Sequence, residues 1–279
     1  MQFDTKQIKD LIFKRLNNHL DEYNAAFKEN KKVIGTSFLT IDNFLPEELA
    51  RKVYKDFMPE SKEWREMKSF RETKMTSKQF DAFPKLLGEV TFAIQEPEIV
   101  DLFAKITDIP QQKGDTGLYA GGLSMMRTGD FLNPHIDNSH DKDRKLYRRL
   151  NLLYYTTPDW TLEDGGHLEL WDDPVKNKVT IESKFNRLVL METHNRSWHS
   201  VNKVTKPNSN RCCVSNYYFS PISPLGPEHD YFHITSFKGR PDEPLKRFVS
   251  DIDTVLRNFA RKMKRSGFGK EDIYKGTEK

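Results

Sequence analysis

At 279 residues the chain suits one large domain or two small ones. Its 36% hydrophobic residues, with 19 Phe, 10 Tyr and 4 Trp, can build a substantial core, yet no run approaches the ~18 apolar residues of a membrane span. The net charge of +4 lacks the strong basic stripe of a nucleic-acid binder, so neither nucleic acid nor membrane is expected as a partner. The most basic run, "RKMKR" at 261–265, reads as a solvated helix face. Cys212 and Cys213 are adjacent, so on a strand they point to opposite faces and cannot form a bridge framework. The first residues, "MQFDTKQIKD", are charged at once and do not read as a signal peptide. Together these features set a reducing, cytoplasmic location as the expectation.

Residues 5–29 read as one helix, with Ile8, Leu11, Ile12, Leu16, Leu20, Tyr23 and Phe27 recurring at three- and four-residue steps. "VIGTSFLTIDNFL" follows as a strand-like run ending in a turn. "PEELARKVYKDF" reads as a helix that Pro46 opens and that places Leu49, Val53 and Phe57 on one face. The polar stretch 60–80 shows no period. Two helices are expected over 83–95 and 97–107, divided at Pro97.

Beyond residue 115 the pattern changes to short apolar runs separated by Gly, Asn, Asp and Pro. These are "LYAGGLSMMR", "RRLNLLYYTT", "GGHLELW", "NRLVLMET", "HSVNKV" and "RCCVSNYYFS". Their spacing fits a β-sandwich or barrel rather than βαβ units. Leu245, Phe248, Val249, Ile252, Val255, Leu256, Phe259 and Met263 then define an amphipathic C-terminal helix. The expected plan is α+β in one domain: helical support with a leading strand over 1–115, an all-β core over 116–222, and a C-terminal extension over 223–279. The helices must bury their apolar faces against that core.

In "NPHIDNSH", an extended backbone turns His135 and Asp137 to one side and Ile136 to the other. Pro134 suits a strand edge or start. A third metal ligand must come from elsewhere, and His199 in "SWHSV" is the leading candidate. Two histidines and one carboxylate leave three positions of an octahedral ion open, as in non-haem Fe(II) oxygenases. In "RCCVSNYYF", alternation places Arg211, Cys213, Ser215, Tyr217 and Phe219 on one side. An Arg fork with nearby hydroxyls on an inner face is what a carboxylate-bearing ligand requires; an edge-strand surface charge is the other reading of Arg211.

The series H-x-D, "RRLNLLYYTTPDW", "EDGGHLELW", "KFNRLVLMETHNRSWHSV" and "RCCVSNYYF" resembles the prolyl-4-hydroxylase-like 2-oxoglutarate/Fe(II) dioxygenases over about residues 117–222. "FLTIDNFLPEELARKVYKDF" resembles the strand and helix that precede this core in bacterial members. The resemblance implies a double-stranded β-helix, or jelly roll, with iron at its mouth. It implies His135, Asp137 and His199 as the iron ligands and Arg211 as the partner of the distal carboxylate of 2-oxoglutarate. It also implies Tyr155 as a hydrogen-bond donor to that carboxylate; Ser215 is added by strand geometry alone. Iron(II), 2-oxoglutarate and O2 are the implied cofactor and co-substrates, with ascorbate as a supporting reductant.

The chain departs from the oxygen-sensing relatives where they carry a Tyr about ten residues before the H-x-D histidine. Here the region reads "SMMRTGDFLN", with Met126 or Arg127 in its place. The link "KVTKPNSN" between His199 and Arg211 also makes a longer, polar hairpin than the resemblance leads one to expect. Position 217 is Tyr where nucleic-acid demethylases of the superfamily carry a second Arg. Asp137 is retained, whereas iron halogenases replace it with a small residue. The implied reaction is hydroxylation of an unactivated C–H in a prolyl residue, a free amino acid or another small metabolite. A jelly-roll sensor that binds metal or 2-oxoglutarate without turnover, and a zinc hydrolase on the same ligands, are the other classes.

Other features have plainer readings. His140 and the loop "DKDRKLYRR", with Arg144 and Arg148, read as a solvated loop or a lid over an anionic substrate. Gly165 and Gly166 read as a tight turn into a strand. His167 and Glu169 are a weak second metal pair, and His194, His229 and His233 receive no role.

Overall fold

A computed structural model describes residues 3–119 and 121–243. The C-terminal helix expected from Leu245 onward lies outside these residues. The first helical pattern is divided in two, α1 (Thr5–Asn17) and α2 (Leu20–Ile34). The break falls at Asn18 and His19, where the Asn18 and His19 amides turn back to the last carbonyls of α1. The chain changes direction there, so both apolar stripes reach the same core, Ile8, Ile12 and Leu16 from one helix and Tyr23 and Phe27 from the other. The Asp4 side chain and Gln7 close α1 with a reciprocal capping box. Gly35, at φ 81°, ends α2 in the left-handed region that favours glycine. The start of "VIGTSFLTIDNFL" therefore belongs to a helix, and strand β1 is only Phe38–Ile41.

Helix α3 (Glu47–Lys55) follows Pro46 and buries Leu49, Ala50 and Val53. The stretch 60–80, which shows no period, is a hairpin of β2 (Trp64–Lys68) and β3 (Glu72–Ser77). Its alternation is blurred because most of its side chains are exposed or half-buried. Helices α4 (Lys85–Gln95) and α5 (Pro97–Thr107) match the expected pair.

The remaining strands are β4 (Lys113–Gly114), β5 (Gly122–Arg127), β6 (Phe131–Ile136), β7 (Tyr147–Tyr155) and β8 (Leu168–Trp171). They continue with β9 (Lys178–Ile181), β10 (Arg187–Glu192), β11 (His199–Val201), β12 (Asn210–Ser220) and β13 (Ser236–Phe237). All pair antiparallel in one curled sheet, in the order β1-β10-β7-β12-β5-β3-β6-β11-β8-β9. β13 adds to β6. The sheet folds over on itself: Leu168, Leu170 and Ile181 from one half pack against Tyr155, Val189, Met191 and Cys213 from the other. This is a jelly-roll core with flanking helices, as expected.

The helices cover the outer face of the larger half. Leu150, Leu152, Tyr154, Cys212, Val214 and Tyr218 share that core with α1, α3, α4 and α5. Burying each such side chain contributes about 1.5–3 kcal/mol. With these residues fixed outward, their sequence neighbours must face the interior of the roll. This alternation is what puts polar chemistry inside.

Candidate metal centre

His135 is the penultimate residue of β6, and His199 opens β11 directly opposite it in the antiparallel register. The register shifts between the 132 and 135 positions of β6, where Pro134 sits inside the strand rather than at its edge or start. A residue without an N–H is tolerated at such an irregularity. Asp137 follows two positions after His135. One ligand atom from each of His135, Asp137 and His199 lies within 4.8 Å of the others. Asp137 Oδ1 is 3.6 Å from His135 Nε2, and Oδ2 is 3.6 Å from His199 Nε2.

The backbone sets the tautomers. His135 Nδ1 donates to the Asn133 carbonyl at 3.0 Å, and His199 Nδ1 donates to the Ser197 carbonyl at 3.0 Å. Both Nε2 lone pairs are left facing Asp137, the arrangement by which outer contacts orient metal-bound imidazoles. Burial, then the neighbouring His135, lowers the His199 pKa to about 4, so its ring is neutral at pH 7. Two imidazoles and one carboxylate suit a divalent transition ion with open positions.

Asp137 is held from a third side. Arg148 Nη1 lies 3.2 Å from Oδ2, and Asn151 Nδ2 donates to the same oxygen at 2.8 Å. Burial pushes the carboxyl up, but the Arg148 charge, then the contacts with His199 and His135, outweigh it and hold the group well below the usual range. Arg148 is no lid residue. It is buried in β7, its guanidinium 4.4 Å from the Tyr217 ring centre. Strict alternation from Asn151 would send Arg148 outward. The β7–β12 register skips Arg149, pairing Tyr218 with Leu150 and Phe219 with Arg148, so Arg148 returns to the inner face.

Arg211, Cys213, Ser215 and Tyr217 share the inner face of β12. Arg211 is 4% exposed, and no carboxylate pairs with it among the described residues. Its Nε has no hydrogen-bond partner, while Nη2 lies 2.9 Å from Met126 Sδ. Met126 thus occupies the space beside the guanidinium. The Arg211 guanidinium stands 5.2 Å from the Tyr155 ring centre. Gly166, at φ 69°, packs closely enough that a Cβ there would meet Arg211 Cδ at 3.1 Å and Val204 Cγ2 at 2.9 Å. A buried, unpaired guanidinium is costly on its own and is satisfied by a carboxylate ligand. Ser215 lies further along the strand, its hydroxyl 3.8 Å from Cys213 Sγ. Tyr217 ends the row beside Asp137, and burial, then the Asp137 charge, pushes its phenol up.

The remaining candidates fall elsewhere. His140 packs among rings, 4.4 Å from Tyr147 and 5.7 Å from Phe232, with Ser139 Oγ 2.7 Å from its Nδ1. His167 is used by the fold: its Nδ1 accepts from the Ser183 amide, and its Nε2 donates to the Leu162 carbonyl. Glu169 is fully buried between Arg240 Nη1 at 2.6 Å, Ser200 Oγ at 2.7 Å and Lys178. The two are therefore no second metal pair. Both cysteines are buried and free. Sequence reading missed Asn151 and Phe237, whose ring stacks on His135 at 5.3 Å, and it assigned His233 no role. The alternation that found Arg211 would have found Asn151. Phe237 is brought in by the remote strand β13, which leaves no local signal.

Residues 121–219 match the family described as the 2OG-Fe(II) oxygenase superfamily. A prolyl 3-hydroxylase of Mus musculus, OGFOD1, is 30% identical over 87 residues, 29% of this chain and 16% of the mouse protein. The match thus spans under a fifth of that relative's length. Among solved structures, a Pseudomonas putida prolyl-4-hydroxylase superposes with a TM-score of 0.54 at 14% identity, covering 71% of this chain and 98% of its own. A Trichoplax adhaerens prolyl hydroxylase, in complex with a hypoxia inducible factor peptide fragment, superposes with a TM-score of 0.54 at 17% identity. It covers 73% of this chain and 91% of its own. At these identities the structural likeness concerns the fold.

Proposed function

We propose that this chain, a prolyl-4-hydroxylase-like member of the 2-oxoglutarate/Fe(II) oxygenase superfamily through its residues 121–219, is a hydroxylase. His135 Nε2, a carboxylate oxygen of Asp137 and His199 Nε2 would hold Fe(II). Iron there, with 2-oxoglutarate and O2, supplies the oxidation that inserts oxygen into a substrate C–H while 2-oxoglutarate becomes succinate and CO2. The chain's own residues do the holding. Arg211 pairs the distal carboxylate of 2-oxoglutarate, Tyr155 donates a hydrogen bond to it, and Ser215 adds a hydroxyl along the same wall. Arg148 and Asn151 keep the Asp137 carboxylate ionised and aimed. The apolar residues between the sheet halves exclude water and fix the reactants relative to one another.

Arg211 carries this reading: a buried guanidinium with no carboxylate partner among the described residues, on the inner face of β12 that also carries Tyr217 beside Asp137. A protein with no anionic ligand gains nothing from such a group. The substrate is a prolyl residue, a free amino acid or another small metabolite; the named activities of the mouse, Pseudomonas and Trichoplax relatives favour the first. No described helix is long and apolar enough to cross a membrane, and the buried, unbridged cysteines suit the cytoplasm.

The test is mass spectrometry of cell extract incubated with the chain, Fe(II), ascorbate and 2-oxoglutarate under ¹⁸O2. A compound that gains one labelled oxygen only when 2-oxoglutarate is present supports the hydroxylase. Thermal stabilisation by 2-oxoglutarate with no labelled product and no succinate would point to a non-catalytic sensor instead.

A further inference from the structure

Residues 222–243 return to the mouth of the roll and are pinned on both sides of His233. Tyr231 stacks on Tyr147 at 5.7 Å, β13 pairs with β6, and Arg240 reaches Glu169. His233 itself is fixed by its backbone. Its amide donates to Ser139 Oγ at 2.9 Å, and its carbonyl accepts from the Ser139 amide at 2.9 Å. Ser139 stands two residues beyond Asp137, and the His233 ring lies within electrostatic reach of that carboxylate.

The ring is the exception among the imidazoles near this site. His135, His199, His140 and His167 each have a ring nitrogen engaged by the protein. Both ring nitrogens of His233 are shut off from solvent and have no hydrogen-bond partner among the described residues. In either protonation state an imidazole carries at least one N–H donor. A donor closed off in this way costs stability unless something completes it. The described residues hold the ring in place, and no other residue among them supplies a hydrogen bond to it.

We propose that His233 is a substrate-binding residue whose ring N–H donates to a carbonyl or carboxylate oxygen of the substrate beside the carbon that is oxidised. The assignment rests on the hydroxylase reading of the same site. The acceptor is an amide carbonyl if the substrate is a peptide and a carboxylate if it is a free amino acid.

The test uses the full chain with Fe(II), ascorbate and 2-oxoglutarate. Succinate is measured with no further addition, with a pool of N-acetylated, C-amidated proline-containing tripeptides, and with a pool of free L-amino acids. The native chain is expected to respond to one pool, which identifies the acceptor. His233→Phe is expected to keep unstimulated succinate release within about twofold. It should need about tenfold more of the responding compound for half-maximal rate, the loss of one hydrogen bond. His233→Gln, which keeps an N–H donor, should recover part of that loss. The Tm of His233→Phe should equal or exceed the native value by a few degrees, because an unpaired polar group is removed. Native half-saturation in His233→Phe, a parallel fall in its unstimulated release, a clear drop in its Tm, or no response of the native chain to either pool would each overturn the assignment. No succinate from the native chain under any condition would instead remove the hydroxylase reading on which it rests.

Discussion

Arg148 Nη1 lies 3.2 Å from Asp137 Oδ2, so a candidate metal ligand is paired with a buried cation before any metal arrives. The pair lies inside the roll, where removing one partner leaves the other uncompensated. Breaking such a pair costs about 3–5 kcal/mol. In metal-free protein, Arg148→Met should therefore lower the Tm by on the order of 10 °C. A bound divalent ion replaces the lost positive charge. Addition of Mn(II) should raise the Tm of Arg148→Met by more than it raises that of the native chain. Equal shifts in a thermal melt would show that Arg148 does not compensate Asp137.

Arg211 makes no ion pair among the described residues, so its removal should leave the fold intact and weaken only ligand binding. Arg211→Gln should raise the KM for 2-oxoglutarate by about 30-fold, the loss of charge-assisted hydrogen bonds worth about 2 kcal/mol. Tyr155→Phe should raise it by less than about tenfold, since one neutral donor is lost. Steady-state succinate assays measure both, and an unchanged KM in Arg211→Gln would remove the guanidinium from the co-substrate site.

Gly166 tests the same pocket by shape. Its φ of 69° disfavours a side chain, and an added Cβ would meet Val204 Cγ2 at 2.9 Å and Arg211 Cδ at 3.1 Å. Gly166→Ala should lower the Tm by a few degrees, from about 1 kcal/mol of backbone strain plus the contact. It should also raise the KM for 2-oxoglutarate, because Arg211 must move. A lower Tm with an unchanged KM would confine Gly166 to a folding role.

The metal-free protein should lose stability as pH falls from about 6.5 to about 4. An unfolded histidine takes up a proton near pH 6.5. His199 in the fold does so only near pH 4, because burial and then His135 oppose its charge. Over that window the unfolded state binds more protons, which favours unfolding as pH falls. Asp137, held well below the usual carboxylate range, acts only at lower pH and does not mask the window. Urea melts across pH should show a shallower slope for His199→Gln. An unchanged slope would mean that His199 titrates normally.

Much of the site was legible because strand periodicity is simple. Alternation along "RCCVSNYYF" placed Arg211, Cys213, Ser215 and Tyr217 on one wall, and the structure turns Cys212, Val214 and Tyr218 to the opposite core. Spacing brought His135 beside Asp137, but only the β6–β11 register brings His199 to them. Arg148 escaped because one skipped residue at Arg149 inverts the alternation, and nothing local marks the skip. The hairpin of β2 and β3 escaped because neither face is wholly buried. The division of the first helix at Asn18 left the heptad-like pattern almost unbroken, since both halves bury into one core. His233 is placed by backbone pairing to Ser139, 94 residues away in sequence.

The central claim is that His135, Asp137 and His199 hold the metal that drives 2-oxoglutarate turnover. Iron-dependent succinate release by the native chain and by His199→Ala, at matched folding, tests it most directly. The native chain should form succinate only with Fe(II), and His199→Ala should fall by about a hundredfold or more, as expected when one of three ligands is lost. Native-level, iron-dependent turnover in folded His199→Ala would contradict the assignment.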